Sequence, residues 1–555
     1  MPLPSANAPW PPKHLRDAFN AYTTCQVWWE GDADKLASAH GEPEPARRSG
    51  GFMQRIRRLF WGTKTDVSQQ PRALHVPVAA DIVQTAASTL LPEPVAFRVA
   101  DGDTVASDEA RTRVDLILNS PQMHSGMLQS AEACSALGDV YGRIVWNSAI
   151  RDHAWIDWVH ADQAVPEFQY GVLSALTVWR VVDEDTEKNR VLRHLERHEP
   201  GRMAIGDDGE ATQVYGRIYH GLYEGTAVSL GVPISLSAHP DTAGIPVNDE
   251  GYVDTGTTRM TACHIPNALP NPAFRGRSTV QHLGRSDIGD PAVIGLMDQI
   301  DETYSSLSRD VRLAKARLLV SEFLLDMKSP GQGSTFSVEQ EVYEKVGGAP
   351  SASPVLEAHQ FQIRVDDHLR TAEGYLRAIL RRIGFSPWTF GLSDDSGAAM
   401  TATEVDARSD ASTNTQRARS GIWKARLAEL GRTLIEVDAA VFGTGALIGQ
   451  DLEVRWPPAA RDSVQAKSQT LVALKASGSA SRKWRVRYLN PDYDDEAVDD
   501  EVALLEAEES VAAVDPFSVG SDQPPDTGAE SDEDADPDEN REVDEIDDED
   551  GLVAA

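Results

Sequence analysis

Two stretches of this sequence place an apolar residue at every third or fourth position, and they restrict the folds open to the chain more than any other feature. In DPAVIGLMDQIDETYSSLSRDVRLAKARLLVSEFL, the residues Ile294, Met297, Ile300, Tyr304, Leu307, Val311, Ala314 and Leu318 make one narrow stripe. The spacing predicts a helix over 290–321, roughly 30 residues and about 45 Å long at 1.5 Å per residue. Asp290 stands at the N-cap position and Pro291 at the first helical position. The second stripe, Phe361, Val365, Leu369, Ala372, Leu376, Ile379 and Ile383, ends at Gly384 and Pro387. Between them lies a Gly- and Pro-containing insert with one or two short strands. The expected arrangement is a rod, a compact tip and a rod back, and such rods need partners to cover their stripes.

Upstream, HVPVAADIVQTAASTLLPEPVAFRV reads as a helix ended near Leu91 by Pro92, then a strand. A second helix closes at Gly138 and leads into VYGRIVWN. Strand-like runs follow through Tyr223, which predicts an α+β body with a largely antiparallel sheet. Downstream, Thr401 and Glu404 form a capping box that starts a long helix. Its first half, 406–421, is polar on every side; its second half carries a stripe at Ile422, Ala425, Leu430, Leu434, Val437 and Val441. One helix entering the body from a wet surface accounts for both halves. Leu452, Val454 and Trp456 alternate with charges as a half-buried strand does, and short helical patterns occupy 462–476 and 494–508.

Composition narrows the function. A chain of 555 residues with 41% hydrophobic side chains can fill more than one core. No apolar run reaches 18 residues, so no membrane span is expected, and MPLPSANAPWPPK lacks the apolar core of a secretory signal, which suggests work in a cytoplasm or export inside an assembly. Residues 521–550 hold 16 Asp or Glu against Arg541 alone, so this tail supplies −15 of the formal net charge of −35. A chain this acidic is poorly suited to grip a phosphate backbone. One basic segment, RRSGGFMQRIRR, reads first as an amphipathic surface stretch. Cys25, Cys134 and Cys263 are far apart and are expected as buried thiols.

Catalytic patterns do not emerge. There is no P-loop, no G-x-S-x-G elbow and no cysteine in a nucleophile signature. The GTGALIG at 443–449 follows a helix, where a dinucleotide turn would follow a strand. His194 and His198 stand four apart in VLRHLERHE, which alternates as a strand; a charged strand face is favoured over a metal site. His160, Asp162, Asp152 and Asp157 read as surface polar groups. The expectation is no enzyme, no cofactor and no metal.

The order of these segments resembles the portal proteins of tailed bacteriophages, in particular the family of long-tailed phages of Gram-positive hosts. The resemblance spans 73–508 and rests most on HIPNALPNPAFRGRSTVQHLGRSDIGDPAVIGLMDQIDETYSSLSRDVRLAKARLLV and FSPWTFGLSDDSGAAMTATEVDARSD. It implies a portal fold with an α/β wing, a two-helix stem, a small clip and a helical crown. Mapped here, the parts would be an N-terminal arm (1–72), a wing (73–289), a stem helix (290–326), a clip (327–360), a return stem helix (361–384), a tunnel loop (385–400), a long channel helix (401–442), a wing return (443–490), a crown helix (491–514) and an acidic tail (515–555). Gly391, Ser393, Asp394, Asp395, Ser396 and Gly397 would form the tunnel loop. Ile294, Met297, Ile300, Tyr304, Leu307, Val311, Leu369 and Leu376 would line the stem and subunit interface, and Arg364, Arg370 and Arg377 the channel or intersubunit ion pairs. The implied assembly is a ring of twelve at one capsid vertex, in the virion and in host cytoplasm while it assembles. Double-stranded DNA would pass through without tight binding; terminase, head-completion adaptors, major capsid and scaffolding proteins would be partners, and no membrane. A different class, an acidic intracellular adaptor using its helical hairpin, or a head-assembly protein other than a portal, fits the pattern less well.

Overall fold

The computed structural model describes residues 2–33, 35–36, 74–205, 211–313, 317–321, 343–346, 356–359, 364–392, 402–457, 464–490, 493 and 495–512. The chain divides into two compact units, Met1–Ala460 and Arg461–Ala555.

The first unit is α+β. Its Pro-rich start runs along a sheet edge: Asn7 N donates to Gly231 O, Leu230 N donates to Ala8 O, and Trp10 is buried edge-on to Trp179. Helix α1 (Arg16–Glu30) buries Ala18, Tyr22, Cys25 and Trp28 and stops at Gly31, whose φ of 65° suits a residue without a Cβ. Helix α2 (Val78–Leu90) ends ahead of Pro92, as the sequence predicts. Strand β1 (Ala96–Arg98), helix α3 (Asp108–Ile117) and helix α4 (Pro121–Leu137) follow; Ser107 and Ser120 cap the two helices by accepting from the amides of Ala110 and Met123.

Strands β2 (Asp139–Val145) and β3 (Trp155–His160) pair antiparallel. Next come β4 (Ala164–Gln169), β5 (Val172–Asp185), β6 (Arg190–Glu199), the β7/β8 hairpin (Arg202–Ile205 and Ala211–Val214), β9 (Arg217–Thr226), β10 (Ser229–Ile234), the short helix α5 (Pro240–Ala243), β11 (Tyr252–Asp254) and β12 (Ala262–Pro266). They build an antiparallel sheet in the order β10-β9-β6-β5-β4, with β11 also on β9, and a second sheet β12-β2-β3. The expected antiparallel body is therefore present.

Helix α6 (Pro291–Leu313) is shorter than the stripe suggests. Its 23 residues give way to strand β13 (Arg317–Ser321), which pairs with β14 (Tyr343–Val346) in parallel and β15 (Leu356–His359) antiparallel. Leu318 fits the helical spacing only because the continuous apolar run LLV satisfies any period, so periodicity misassigns 317–321, while Ala314 lies outside the described residues. Helix α7 (Val365–Ile383) closes at Gly384 with φ 85°, and Phe361 lies outside the described residues. Helix α8 (Ala402–Phe442) is one helix of 41 residues, and Gly443 to Gly449 follow it without regular structure. Strand β16 (Glu453–Arg455) returns to pair with β1.

The second unit contains helices α9 (Val464–Ala476), α10 (Arg482–Leu489) and α11 (Asp495–Ala512). Strand β16 belongs to the first unit through its pairing with β1, and the chain from Arg461 onward to the second.

Two apolar cores hold the first unit. One gathers α1, α2, the large sheet and the lower parts of α6 and α7; the other gathers α3, α4, β2 and the second half of α8 around Trp423.

Candidate functional site

The helical hairpin α6/α7 is a ladder tied at both ends by carboxylates. At the base, Asp290 caps α6 by accepting from Ala292 N at 2.9 Å, and its other oxygen receives Arg382 from the last turn of α7 at 2.6 Å. Burial works to raise the Asp290 pKa, but the Ala292 amide and Arg382 outweigh it and hold the carboxyl below its usual range. At the far end, Asp310 accepts from His368 at 3.1 Å and Arg364 at 3.2 Å, and these bonds lower its pKa too, His368 first. The two ties stand 20 residues apart along α6, about 30 Å at the helical rise.

Between the ties, packing falls off along the rods. Met297, Ile300, Ala372, Ile379, Leu380 and Ile383 are buried; Ile294, Tyr304, Leu307 and Leu376 are half-buried. Val311 remains 49% exposed and Leu369 43%, with Val365 exposed beside them. The expected interface residues therefore separate into an inner set that the subunit covers itself and an outer set that it leaves open. Of the expected basic residues, Arg364 is paired with Asp310 and Arg377 with Glu373 at 2.8 Å, whereas Arg370 is exposed and makes no ion pair among the described residues.

The base of the hairpin is locked into the body by two buried carboxylates. Asp287 accepts from Ser135 Oγ at 2.6 Å, Arg419 Nη2 at 2.7 Å and Asn267 Nδ2 at 3.1 Å, so α4, α8 and the segment after β12 converge on it. Asp139 accepts from His264 Nε2 at 2.6 Å and the Gly284 amide at 2.7 Å. Ser286 Oγ donates to Ala136 O at 2.5 Å and accepts from Gly289 N at 2.9 Å. Gly138 is required here: with φ 97°, a Cβ would stand 2.9 Å from Gly284 O. Together these contacts fix where α6 leaves the body.

The first half of α8 proves to be a clasp. Ser412 Oγ accepts from Ser386 N at 2.9 Å, Thr415 Oγ1 donates to Gly384 O at 2.6 Å, and Arg419 lies over the Phe385 ring at 5.3 Å. Ser412, Gln416, Arg419 and Ser420 are buried, while Asp410, Ala411, Asn414, Arg417 and Ala418 are exposed, so the expected wet surface holds for one face of 410–420 and not for the other. The hydroxyls are spent on the turn that ends α7, whose carbonyls and amides need partners. In the second half, Trp423, Leu427, Leu430, Leu434 and Val437 are buried, whereas Ala425 and Val441 are exposed and Ile422 half-buried. The buried stripe is rotated from the expected one because Trp423 and Leu427, not Ile422 and Ala425, lie on the line through Leu430 and Leu434. That line runs back through Gln416 and Ser412, which are buried although polar.

Of the expected loop residues, Gly391 ends a 3₁₀ turn, Pro387–Phe390, with φ 71°. Ser393, Asp394, Asp395, Ser396 and Gly397 lie outside the described residues, as do Thr401 and the RRSGGFMQRIRR segment.

His194 and His198 sit on a strand, but they are buried, which corrects the picture of a solvated charged face. His194 stacks on His220 with ring planes 1° apart, His198 bonds Thr261 and Glu196 at 2.8 Å each, and Glu196 reaches Arg143 at 2.7 Å. Sequence reading missed this network because the alternation of VLRHLERHE suggests an open charged face, whereas β6 is central in its sheet and nearly every residue of it is buried. Burial, foremost, drives the His194 pKa down to about 4 and that of His220 down as well. Asp162, read as a surface group, has its pKa raised by burial, and its Oδ1 has no hydrogen-bond partner. The three cysteines are free and buried as expected; burial pushes Cys25 up to about 11 and Cys263 up to about 12. Among the described residues no group of three or more His, Cys, Asp or Glu is placed to hold a metal ion, and no helix is long and apolar enough to cross a membrane.

No family model matches the sequence, and no curated protein matches it. Solved structures do show similar chains. One is in the virion of a native gene transfer agent particle, at 14% identity and TM-score 0.31, covering 82% of this chain and 98% of that one. Two are in necks of such particles: the empty particle computed with C6 symmetry, at TM-score 0.34 with 98% of that chain covered, and the native particle computed with C12 symmetry, at 0.32 with 97% covered. Both share 14% identity with this chain and cover 82% of it. At such TM-scores the superpositions carry no further weight.

Proposed function

We propose that this chain is a portal-type subunit: it closes into a ring, twelvefold in the particle, that forms the conduit for double-stranded DNA at one capsid vertex. The observation that carries the reading is the α6/α7 hairpin, fixed at its root by Asp287 and Asp139 yet leaving Val311, Val365 and Leu369 uncovered at its far end. A rigidly held rod with open apolar positions suits lateral packing on identical rods, and identical heterologous contacts close into a ring. The order of sequence segments supports the same reading. A place in the virion or its neck, the setting named for the three structural neighbours, belongs to this proposal.

On this reading the chain carries no catalytic residues. Residues 393–397 line the bore, with Asp394 and Asp395 repelling phosphate, and the β13–β15 tip faces terminase and later the head-completion adaptors. Capsid and scaffolding proteins surround the ring during assembly in the host cytoplasm. The acidic excess, −35 per chain, keeps DNA from adhering.

Multi-angle light scattering and electron microscopy of the purified chain test this directly. Rings of twelve or thirteen subunits are expected; a monodisperse monomer near 60.4 kDa at micromolar concentration overturns the proposal. Shortening 394–398 should leave rings intact while impairing DNA packaging or retention. ATP hydrolysis by the pure protein would contradict the absence of catalysis.

A further inference from the structure

Strand β3 is a sheet edge that the subunit leaves open. It stands last in the order β12-β2-β3, and its ladder with β2 runs from Trp155 to His160 without a break. Which of its backbone groups face outward follows from β2. Ile144 N donates to Thr261 O at 2.9 Å on the β12 side, so Ile144 turns away from β3 while its neighbours Arg143 and Val145 turn toward it. Their partners Asp157 and Trp155 spend their N–H and C=O on β2, and Ala154, Ile156, Trp158 and His160 aim theirs outward. Ala154 is answered, since its N–H donates to the buried Asp438 at 2.9 Å. His160 leads into the 3₁₀ turn Ala161–Gln163. The N–H and C=O groups of Ile156 and Trp158 meet no partner among the described residues.

Ile156 is only 8% exposed, and backbone groups at buried positions are nearly always paired. Strand β3 also lacks the proline, lysine or bulge that commonly blunts an edge. Beside it, a cavity of about 270 Å³ separates the strand from Met123 and Gly126 of α4. Trp155, Ile156, Asp157 and Trp158 all line it. Successive side chains of a strand point to opposite faces, so a cavity touched by all four runs along the edge itself.

The side chains around this cavity define the strand that would fit. Asp157 is already engaged by Arg143 at 2.8 Å. Arg151 lies over the Trp155 ring at 4.9 Å and makes no ion pair among the described residues. Trp158 Nε1 is a buried donor without an acceptor, and His160 completes the lining. Arg151 and the indole are both donors, so an extended chain carrying an acidic side chain is complementary here and one carrying a basic side chain is not. Water could satisfy the open groups singly. Open groups two residues apart along one edge, however, match the repeat of a strand.

We propose that the groove between β3 and α4 receives an extended segment of a partner protein, which adds to the sheet alongside β3 and sets an acidic side chain against Arg151. The groove lies within one subunit, so this proposal stands or falls independently of the ring.

A pool of labelled, capped pentapeptides with Asp at the centre and Val, Thr or Ala elsewhere tests it by fluorescence anisotropy on the full-length chain. Saturable binding is expected, weakened at least about tenfold by Arg151→Glu and recovered by that variant when Lys replaces the central Asp. Methylating the backbone nitrogens of the pool should abolish binding, because the ladder would lose its donors. Hydrogen exchange supplies a second readout: the Ile156 and Trp158 amides should exchange freely in the chain alone and slow at least about tenfold with the pool, while those of Trp155 and Asp157 stay protected throughout. Absence of saturable binding, which would leave only water in the cavity, overturns the proposal. So does binding that ignores both Arg151→Glu and methylation. Ile156 and Trp158 amides already protected in unassembled chains would mean that the chain covers its own edge, and protection acquired on ring formation alone would assign the edge to a second copy; either result overturns the partner.

Discussion

Arg419 donates to Asp287 across 2.7 Å, and the two side chains are 7% and 5% exposed although they lie 132 residues apart in sequence. Both charges have been removed from water, so each depends on the other. Truncating one partner of such a pair costs about 3–5 kcal/mol, because the survivor is left charged and buried. Arg419→Met should lower the denaturant midpoint accordingly. Asp287→Asn keeps a carbonyl oxygen that can accept from Asn267, while its amide nitrogen can donate to the Ser135 hydroxyl. The double variant Arg419→Met/Asp287→Asn should therefore lose less than the sum of the single changes, with a coupling of about 1–3 kcal/mol in the cycle.

The stacked pair His194 and His220 sets an acid limit on stability. An unfolded histidine titrates near 6.5, and burial lowers both residues in the fold, His194 to about 4. A lowered histidine pKa means that the unfolded chain binds the proton more readily. Stability is complete above pH 6.5 and declines as the pH falls toward 4, by on the order of 2 kcal/mol for His194. Thermal melts of His194→Gln should show a shallower decline between pH 6.5 and 4 than wild type. Identical slopes would mean that these rings do not govern acid unfolding.

Asp162 shifts the other way. Its carboxyl is raised by burial, and one oxygen lacks a partner, so the ionised form is penalised in the fold. A raised carboxyl pKa contributes stability below the unfolded value of 3.8, and this contribution is lost as the pH rises through the folded value. At pH 7 the native protein therefore carries the penalty. Asp162→Asn should stabilise it by about 1 kcal/mol at pH 7, and the gain should disappear in melts near pH 3.5.

How much of this was readable from residues alone depends on whether one element or several decide a position. Caps and stops were legible because they are local: Asp290 with Pro291, Gly138 and Gly384 all stand where the sequence places them. The inner stripe of Met297, Ile300, Ile379 and Ile383 was legible because a helix buries one face. The strand at 317–321 was not, since an apolar run without alternation fits both periods. The clasp of Ser412, Thr415 and Arg419 was hidden for a different reason. Ser412 and Arg419 are buried, and Thr415 half-buried, against the turn at 384–386, a partner that hydropathy does not register. The same holds for Asp139 and Asp287, whose donors come from residues scattered between 22 and 419.

Folding and assembly should separate cleanly along the hairpin. Ile379 is fully buried, so Ile379→Ala removes core volume and should cost about 2–4 kcal/mol of subunit stability. Leu369 is 43% exposed on the same helix, nearly three turns away, so Leu369→Asp gives up little intramolecular packing and should change subunit stability by less than about 1 kcal/mol. If neighbours cover Leu369, an aspartate there buries a carboxylate with no assigned partner, and association should fail at concentrations where the wild type assembles. Sedimentation velocity with parallel urea unfolding reads both quantities. The expected pattern is an Ile379→Ala chain that is weakened yet still associates, and a Leu369→Asp chain that is folded but single. The reverse pattern would place the subunit contact away from the far end of the hairpin.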